Sequence, residues 1–349
     1  MNSLRTVVVC LLFACATVVS PASAVTPGWS ALPVPAAAPP VTVKDLAARG
    51  PGEAWATGYE HTADGLRPML HRWDGTEWSR DATFPGAGEQ GWLGKVQFVG
   101  EEVWIFHNRA GEGEILRRSA DGWSTLPLPR TLRIYQDFAA AQGAAWVVGE
   151  DDTGLKVLHY DGSAWTTQAV PDDVHYVMGI TARTATNAWA WSDTSTGATV
   201  LRWNGTAWRD AEVPLPSSAN VHTILLEPSG RAAISGSQHT DDGVRAYLMT
   251  WNGHAWRTTY PPLGGTYAEA LVRGPDGALW LPVRSDRAFQ SKYARIHGSR
   301  TTFSYGPERA NAIDVKPRAM ARAGSSLLSF GTVEIYGSKP NLMSERLGG

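Results

Sequence analysis

One hexapeptide, returning at intervals along the chain, limits what this sequence can fold into more than any other feature. Trp73-Asp74-Gly75-Thr76-Glu77-Trp78 comes back as Tyr160-Asp161-Gly162-Ser163-Ala164-Trp165, as Trp203-Asn204-Gly205-Thr206-Ala207-Trp208 and as Trp251-Asn252-Gly253-His254-Ala255-Trp256. A shortened copy, Asp121-Gly122-Trp123, lies between them. Asp-Gly and Asn-Gly supply the positive φ of a tight hairpin turn, and the flanking aromatic residues suit paired strands. Self-similarity at a fixed period means stacked copies of one supersecondary unit.

A second pattern precedes these turns by about twenty residues, the spacing of a further hairpin. Ala54-Trp55-Ala56-Thr57-Gly58 recurs as Val103-Trp104-Ile105-Phe106, Ala145-Trp146-Val147-Val148-Gly149, Ala188-Trp189-Ala190-Trp191, Ala232-Ala233-Ile234-Ser235-Gly236, Leu279-Trp280-Leu281 and Leu327-Leu328-Ser329-Phe330-Gly331. Ahead of each copy stands another short apolar run, the first being Val41 to Ala48 and the sixth Tyr267 to Val272. Each unit therefore holds four strands, a to d, with the Asp-Gly turn between c and d, which is the pattern of a propeller blade. The last unit ends near Leu347 without a strand d, while Gly28-Trp29-Ser30-Ala31-Leu32-Pro33 matches Gly122-Trp123-Ser124-Thr125-Leu126-Pro127. Residues 28–36 are thus predicted to supply the outer strand of the final blade. The fold class expected is an all-β, seven-bladed β-propeller of four antiparallel strands per blade, about 46 residues each, closed by the N-terminal strand.

Blades with these two motifs resemble the tryptophan-rich secreted propellers common in actinobacteria, which are similar in shape to kelch and galactose-oxidase propellers. The turn also resembles the Asp-box of bacterial sialidases, one residue shorter. The resemblance implies a fold and leaves the activity open, because the repeated residues are those that build blades. Copper radical chemistry of the galactose-oxidase kind would need a cysteine crosslinked to a tyrosine.

The start of the chain argues for export. Arg5, the apolar run Val7 to Ala16 and Ala22-Ser23-Ala24 have the order of a signal peptide over residues 1–24. Cleavage there removes both cysteines, Cys10 and Cys15, leaving a secreted, extracellular domain of residues 25–349 with no disulfide or thiolate site. A lipid anchor at Cys15 fits less well, since Phe13 is bulky for that motif. No later stretch is long and apolar enough to span a bilayer. The 31 basic and 33 acidic residues are scattered in ones and twos, so no stripe is present to bind nucleic acid. A monomer is expected.

Burying tryptophan is itself strongly stabilising, so a repeated tryptophan needs no ligand to explain it. Of the 16, only Trp92 and Trp191 fall outside the blade pattern. Strand a starts, and strand b ends, at the same mouth of the central channel. That face is predicted to gather Trp92, Tyr135, Tyr176, Trp191 and Tyr267 for stacking, with His175, His222 and Glu269 as polar groups. Gly86-Ala87-Gly88-Glu89-Gln90-Gly91 fits a dinucleotide motif by letter, but a strand follows it where that motif needs a helix. Glu101-Glu102, Asp151-Asp152, Asp172-Asp173 and Asp241-Asp242 read as solvated turns. His61 with Asp64, and His239 with Asp241 and Asp242, offer groups for a hard cation but no diagnostic ligand spacing, and read as solvated turns. The expectation is a secreted, non-catalytic binding propeller, without cofactor or metal, for an extracellular glycan or protein ligand. The alternative is a glycan hydrolase or lyase working with histidine, tyrosine and a carboxylate at the same mouth.

Overall fold

The computed structural model describes residues 28–129, 132–194, 197–264 and 270–348. The leader at 1–24 and both cysteines lie outside the described residues, as do Tyr267 and Glu269. Seven four-stranded antiparallel sheets make up the described chain. Six are contiguous in sequence and begin with the inner strands Val41–Gly50, Gly91–Val99, Ile134–Ala141, Val174–Thr184, Ala219–Leu226 and Val272–Arg273. In the seventh, Ala312–Ala323, Ser326–Ile335 and Asn341–Leu347 are completed by Trp29–Leu32. The register there is Trp29 against Leu347 through Leu32 against Ser344, so the ring closes as expected. The closing strand is shorter than residues 28–36, because Pro33 has no N–H to give the ladder.

Strand b of each blade is covered on both sides by neighbouring blades, which explains its unbroken apolar runs. Ala144–Val148 is buried at every position. The tryptophans sit at the joints between blades. In each case a strand-d ring packs on a strand-b ring of the preceding blade: Trp123 on Trp55 at 5.9 Å, Trp256 on Trp189 at 6.2 Å, Trp29 on Trp280 at 6.2 Å and Trp78 on Phe330 at 4.9 Å. Trp104 and Trp165 share one core cluster, and Trp146 and Trp208 another. The strand-c tryptophans brace their own blades, the Trp73 and Trp203 indoles donating to the carbonyls of Pro51 and Ala185 at 3.0 and 3.1 Å.

The Asp-Gly turns occupy the far end of the blades from the channel mouth. Asp74 Oδ1 accepts hydrogen bonds from the Thr76 N–H, the Thr76 hydroxyl and the Glu77 N–H at 2.8, 2.7 and 2.9 Å, while Gly75 takes φ +103°. Asp161, Asn204 and Asn252 make the same turn. Those bonds hold the Asp74 and Asp161 carboxyls down to about 2. The motif is structural, and the neutral amides of Asn204 and Asn252 serve equally well.

Two predictions follow from this packing. Trp29→Ala removes the 3.8 Å stack on Tyr293 and the indole bond to Ser304, and should cost about 3–5 kcal/mol in chemical denaturation. His71 and His107 are fully buried, and burial pushes each ring down to about 4. The unfolded chain protonates these rings first, so stability should fall as pH drops from about 6.5 to about 4, by about 3 kcal/mol for each. His71→Leu should flatten its share of that slope.

Candidate functional site

The repeated glycine of strand b creates the site. Gly58, Gly149, Gly236 and Gly331 lie where an added Cβ would stand only 2.0–2.3 Å from a carbonyl oxygen of the neighbouring strand a. At the same places strand a is bulged, between Val43 and Asp45, Tyr135 and Asp137, Val221 and Thr223, and Pro317 and Ala319. A bulge inserts one residue and re-aims its side chain. Lys44, Gln136 and His222 are the inserted residues that line an axial cavity of about 460 Å³, and Arg318 lines an adjoining groove. Every blade contributes to the cavity wall.

One side of this cavity is aromatic. Trp92 leans on Phe106 with centroids 5.2 Å apart, and Phe106 leans on Tyr135 at the same distance. Gly94 leaves room for both rings, since a Cβ there would meet Trp92 at 3.0 Å and Phe106 at 3.1 Å. The Lys44 ammonium stands 5.6 Å from the Trp92 ring centre and 5.8 Å from that of Tyr59, a cation–π bracket over the mouth. Tyr135 accepts a hydrogen bond from the Gly113 N–H at 3.0 Å, and burial raises its hydroxyl pKa. Trp191 is only 7% exposed and fills the space left by Gly179 while lining the cavity.

The floor is charged and internally satisfied. Lys95 Nζ reaches Asp137 at 3.1 Å and donates to the Ile180 carbonyl at 2.6 Å. Asp137 also accepts from the Ile180 and Phe138 N–H groups, both at 2.8 Å, and Asp45 accepts from the Val96 N–H at 2.9 Å. Each aspartate thus crosses to the next inner strand, blade 1 to 2 and blade 3 to 4. Burial raises the Asp45 pKa, opposed by the Lys95 charge. His222 shares a 3.1 Å hydrogen bond with the buried Ser237, and burial lowers its pKa.

Of the eight residues expected at the mouth, Trp92, Tyr135, Trp191 and His222 meet in this cavity. Tyr176 stands on the rim, 43% exposed, its hydroxyl pKa raised by a hydrogen bond to Glu150. His175 is exposed and off the cavity wall. Tyr267 and Glu269 lie outside the described residues. Lys44, Asp45, Lys95, Gln136 and Asp137 were missed, although the residue inserted opposite each Ala-x-x-x-Gly glycine is a signal that finds Lys44, Gln136 and His222. Gly86 to Gln90 lie in an inter-blade loop, and Gly91 opens the inner strand Gly91–Val99. Among the described residues no group of three His, Cys, Asp or Glu could hold a metal ion. His239 pairs with the Asn220 amide at 3.2 Å, and Glu101 with Arg49 at 2.6 Å.

Gly179→Ala places a Cβ within 2.0 Å of the Trp191 ring. That overpacking should cost about 1–3 kcal/mol and alter tryptophan fluorescence, while Gly28→Ala, with open space around it, should do neither.

No protein family is matched by the sequence, and no curated protein matches it. Among solved structures, the fold is similar to a virginiamycin B lyase from Staphylococcus aureus with quinupristin, at 13% identity and TM-score 0.62, covering 92% of this chain and 99% of the lyase. It is similar to YCF48 bound to a D1 peptide, at 15% identity and TM-score 0.60, covering 92% of this chain and 96% of that one. A xyloglucanase from Xanthomonas campestris matches at 16% identity and TM-score 0.52, over 91% of this chain and 53% of the enzyme. At such identities the likeness is one of architecture. Sheet topology and these comparisons agree that the chain is a seven-bladed β-propeller.

Proposed function

We propose that this protein is an exported, non-catalytic binding propeller whose channel mouth takes an extracellular carbohydrate or protein ligand. The observation that carries this reading is the cavity wall itself, where the Trp92, Phe106 and Tyr135 rings face a chamber edged by Lys44, Gln136 and His222. Flat apolar rings with hydrogen-bonding groups beside them suit sugar faces and peptide side chains alike. One of the similar propellers is solved with a peptide and another is named a xyloglucanase. Export rests on the leader at residues 1–24, whose removal leaves a chain without thiols.

Among the described residues, binding is favoured over hydrolysis or elimination by how the cavity's two carboxylates are engaged. Acid–base work needs an acid and a base converging on one bond. Asp45 and Asp137 are committed to backbone N–H groups, and Asp137 also to Lys95. His222 is held by Ser237, and His175 stands off the wall.

Trp92→Ala tests the assignment, with chemical denaturation confirming that the variant, whose ring also packs on the core cluster of blades 2 and 3, keeps its fold. Screened on a glycan array and a peptide library, the wild-type protein should bind members of one class. The variant should bind them at least about 30-fold more weakly, the loss typical of an anchoring aromatic residue. Equal binding by the two proteins would place the ligand elsewhere.

A further inference from the structure

Exposed apolar side chains are distributed unevenly over this molecule. Of the ten large hydrophobic residues exposed among the described residues, nine lie in loops of the channel-mouth face or in the strand halves nearest it. Phe303, midway along the outer strand of blade 6, is the exception. Scattered single exposures are ordinary, but a one-sided set marks an interaction face. Three of them, Ile134, Tyr176 and Met178, belong to the inner strands of blades 3 and 4 and are 53, 43 and 50% exposed. Met178 is a bulge residue, and Ile134 pairs with Glu150, the carboxylate that also holds the Tyr176 hydroxyl.

Beside this patch a groove of about 710 Å³ opens between blades 2 and 3. Pro127, Leu128 and Leu132 form its apolar side, and Glu89, Arg109, Glu112 and Glu114 its charged side, where Glu114 shares a 2.9 Å hydrogen bond with the buried His107. Tyr135 lines both groove and axial cavity, so the two meet at that ring. Among the described residues, charge on this half of the face is mostly negative. Glu150 stands between Ile134 and Tyr176, and the next loop adds the exposed Asp172 and Asp173. The nearby cations Arg109 and Arg133 are paired with Glu89 and Asp152.

We infer that the occupant of this half of the mouth is an extended, basic peptide segment of another protein. It lays Lys or Arg side chains along the groove between blades 2 and 3, and apolar side chains against Ile134, Tyr176 and Met178. This rests on the binding reading above and narrows it to one ligand class. A neutral glycan has no side chains to cover Ile134 and Met178, and an acidic one would be repelled by the groove. At about 3.3 Å per extended residue, a segment of a few residues spans from groove to cavity. Charged rim contacts of this kind speed association and are screened by salt.

A phage-displayed library of random dodecapeptides panned against the purified protein tests the inference. Enriched peptides should carry Lys or Arg next to aromatic or aliphatic residues. Synthesised and titrated, they should bind the Ile134→Ser/Met178→Ser double variant at least tenfold more weakly, and bind less well as salt rises. Both positions are exposed, so the variant keeps its fold, which chemical denaturation confirms. Failure to enrich any peptide, enrichment of acidic peptides, or undiminished binding to the double variant would overturn the inference. If Trp92→Ala abolishes binding while the double variant does not, the cavity assignment survives and the basic-peptide partner is lost. If neither change matters, both fail. Glycan binding that depends on Trp92 but ignores the rim overturns this inference alone.

Discussion

The ring depends on one contact repeated at six of its seven joints, an aromatic side chain of an outer strand packed on the second strand of the preceding blade. A single four-stranded sheet has two apolar faces and cannot bury either by itself. Each tryptophan pair joins two sheets face to face and removes ~150–250 Å² per ring from water. Because the pair lies between blades, its energy is a neighbour term, and it reaches full value only when the ring has no open ends. Trp29 is therefore more than a terminal residue in strand pairing. It supplies the ring that blade 6 needs on its outer side, stacked at 3.8 Å on Tyr293.

The sequence keeps account of these joints even where they change. Blade 5 has Ala233 where five of the motifs place tryptophan, and the outer strand Arg300–Tyr305 of blade 6 carries no tryptophan either. The joint between them is instead built from Ala233, Leu248, Leu271, Leu279 and Leu281. Loss of one ring accompanies loss of its partner, because a lone tryptophan facing a small residue would leave a cavity or remain in water. The same complementarity holds at the closing blade, where Trp78 meets Phe330.

The fold was legible in the sequence for this reason: turn residues and joint residues recur, and their chemistry has one structural meaning. Ring closure could be seen in Gly28–Leu32 because it repeats the Gly122-Trp123 strand, and the structure pairs it with Ser344–Leu347. The site was only half legible. Trp92, Tyr135, Trp191 and His222 stood out as aromatic or imidazole groups near the start of strand a or the end of strand b. Asp45, Lys95 and Asp137 did not, since a short alternating strand offers two faces and a bulge exchanges them. His175 and Tyr176 flank a register shift between Val174 and Tyr176, and neither lines the axial cavity. Trp191 was set apart from the packing residues, yet it also belongs to a core cluster with Val200, Val221 and Tyr247.

Bulges reconcile a uniform scaffold with a specific site. Seven equal inner strands would line the channel with one repeated surface, which could not distinguish ligands. Inserting one residue opposite a glycine alters what faces the axis without disturbing the joint, because the joint lies farther out on the second and fourth strands. Lys44, Gln136, His222 and Arg318, inserted opposite glycines, and Met178, inserted opposite Ser192, differ in charge, size and hydrogen bonding. The aspartates next to two of them, Asp45 and Asp137, fasten each bulge to the following blade through the Val96 and Ile180 N–H groups. Exchanging bulge residues would then change what the mouth recognises at little cost to the ring, whereas exchanging those aspartates would loosen the wall on which recognition is built.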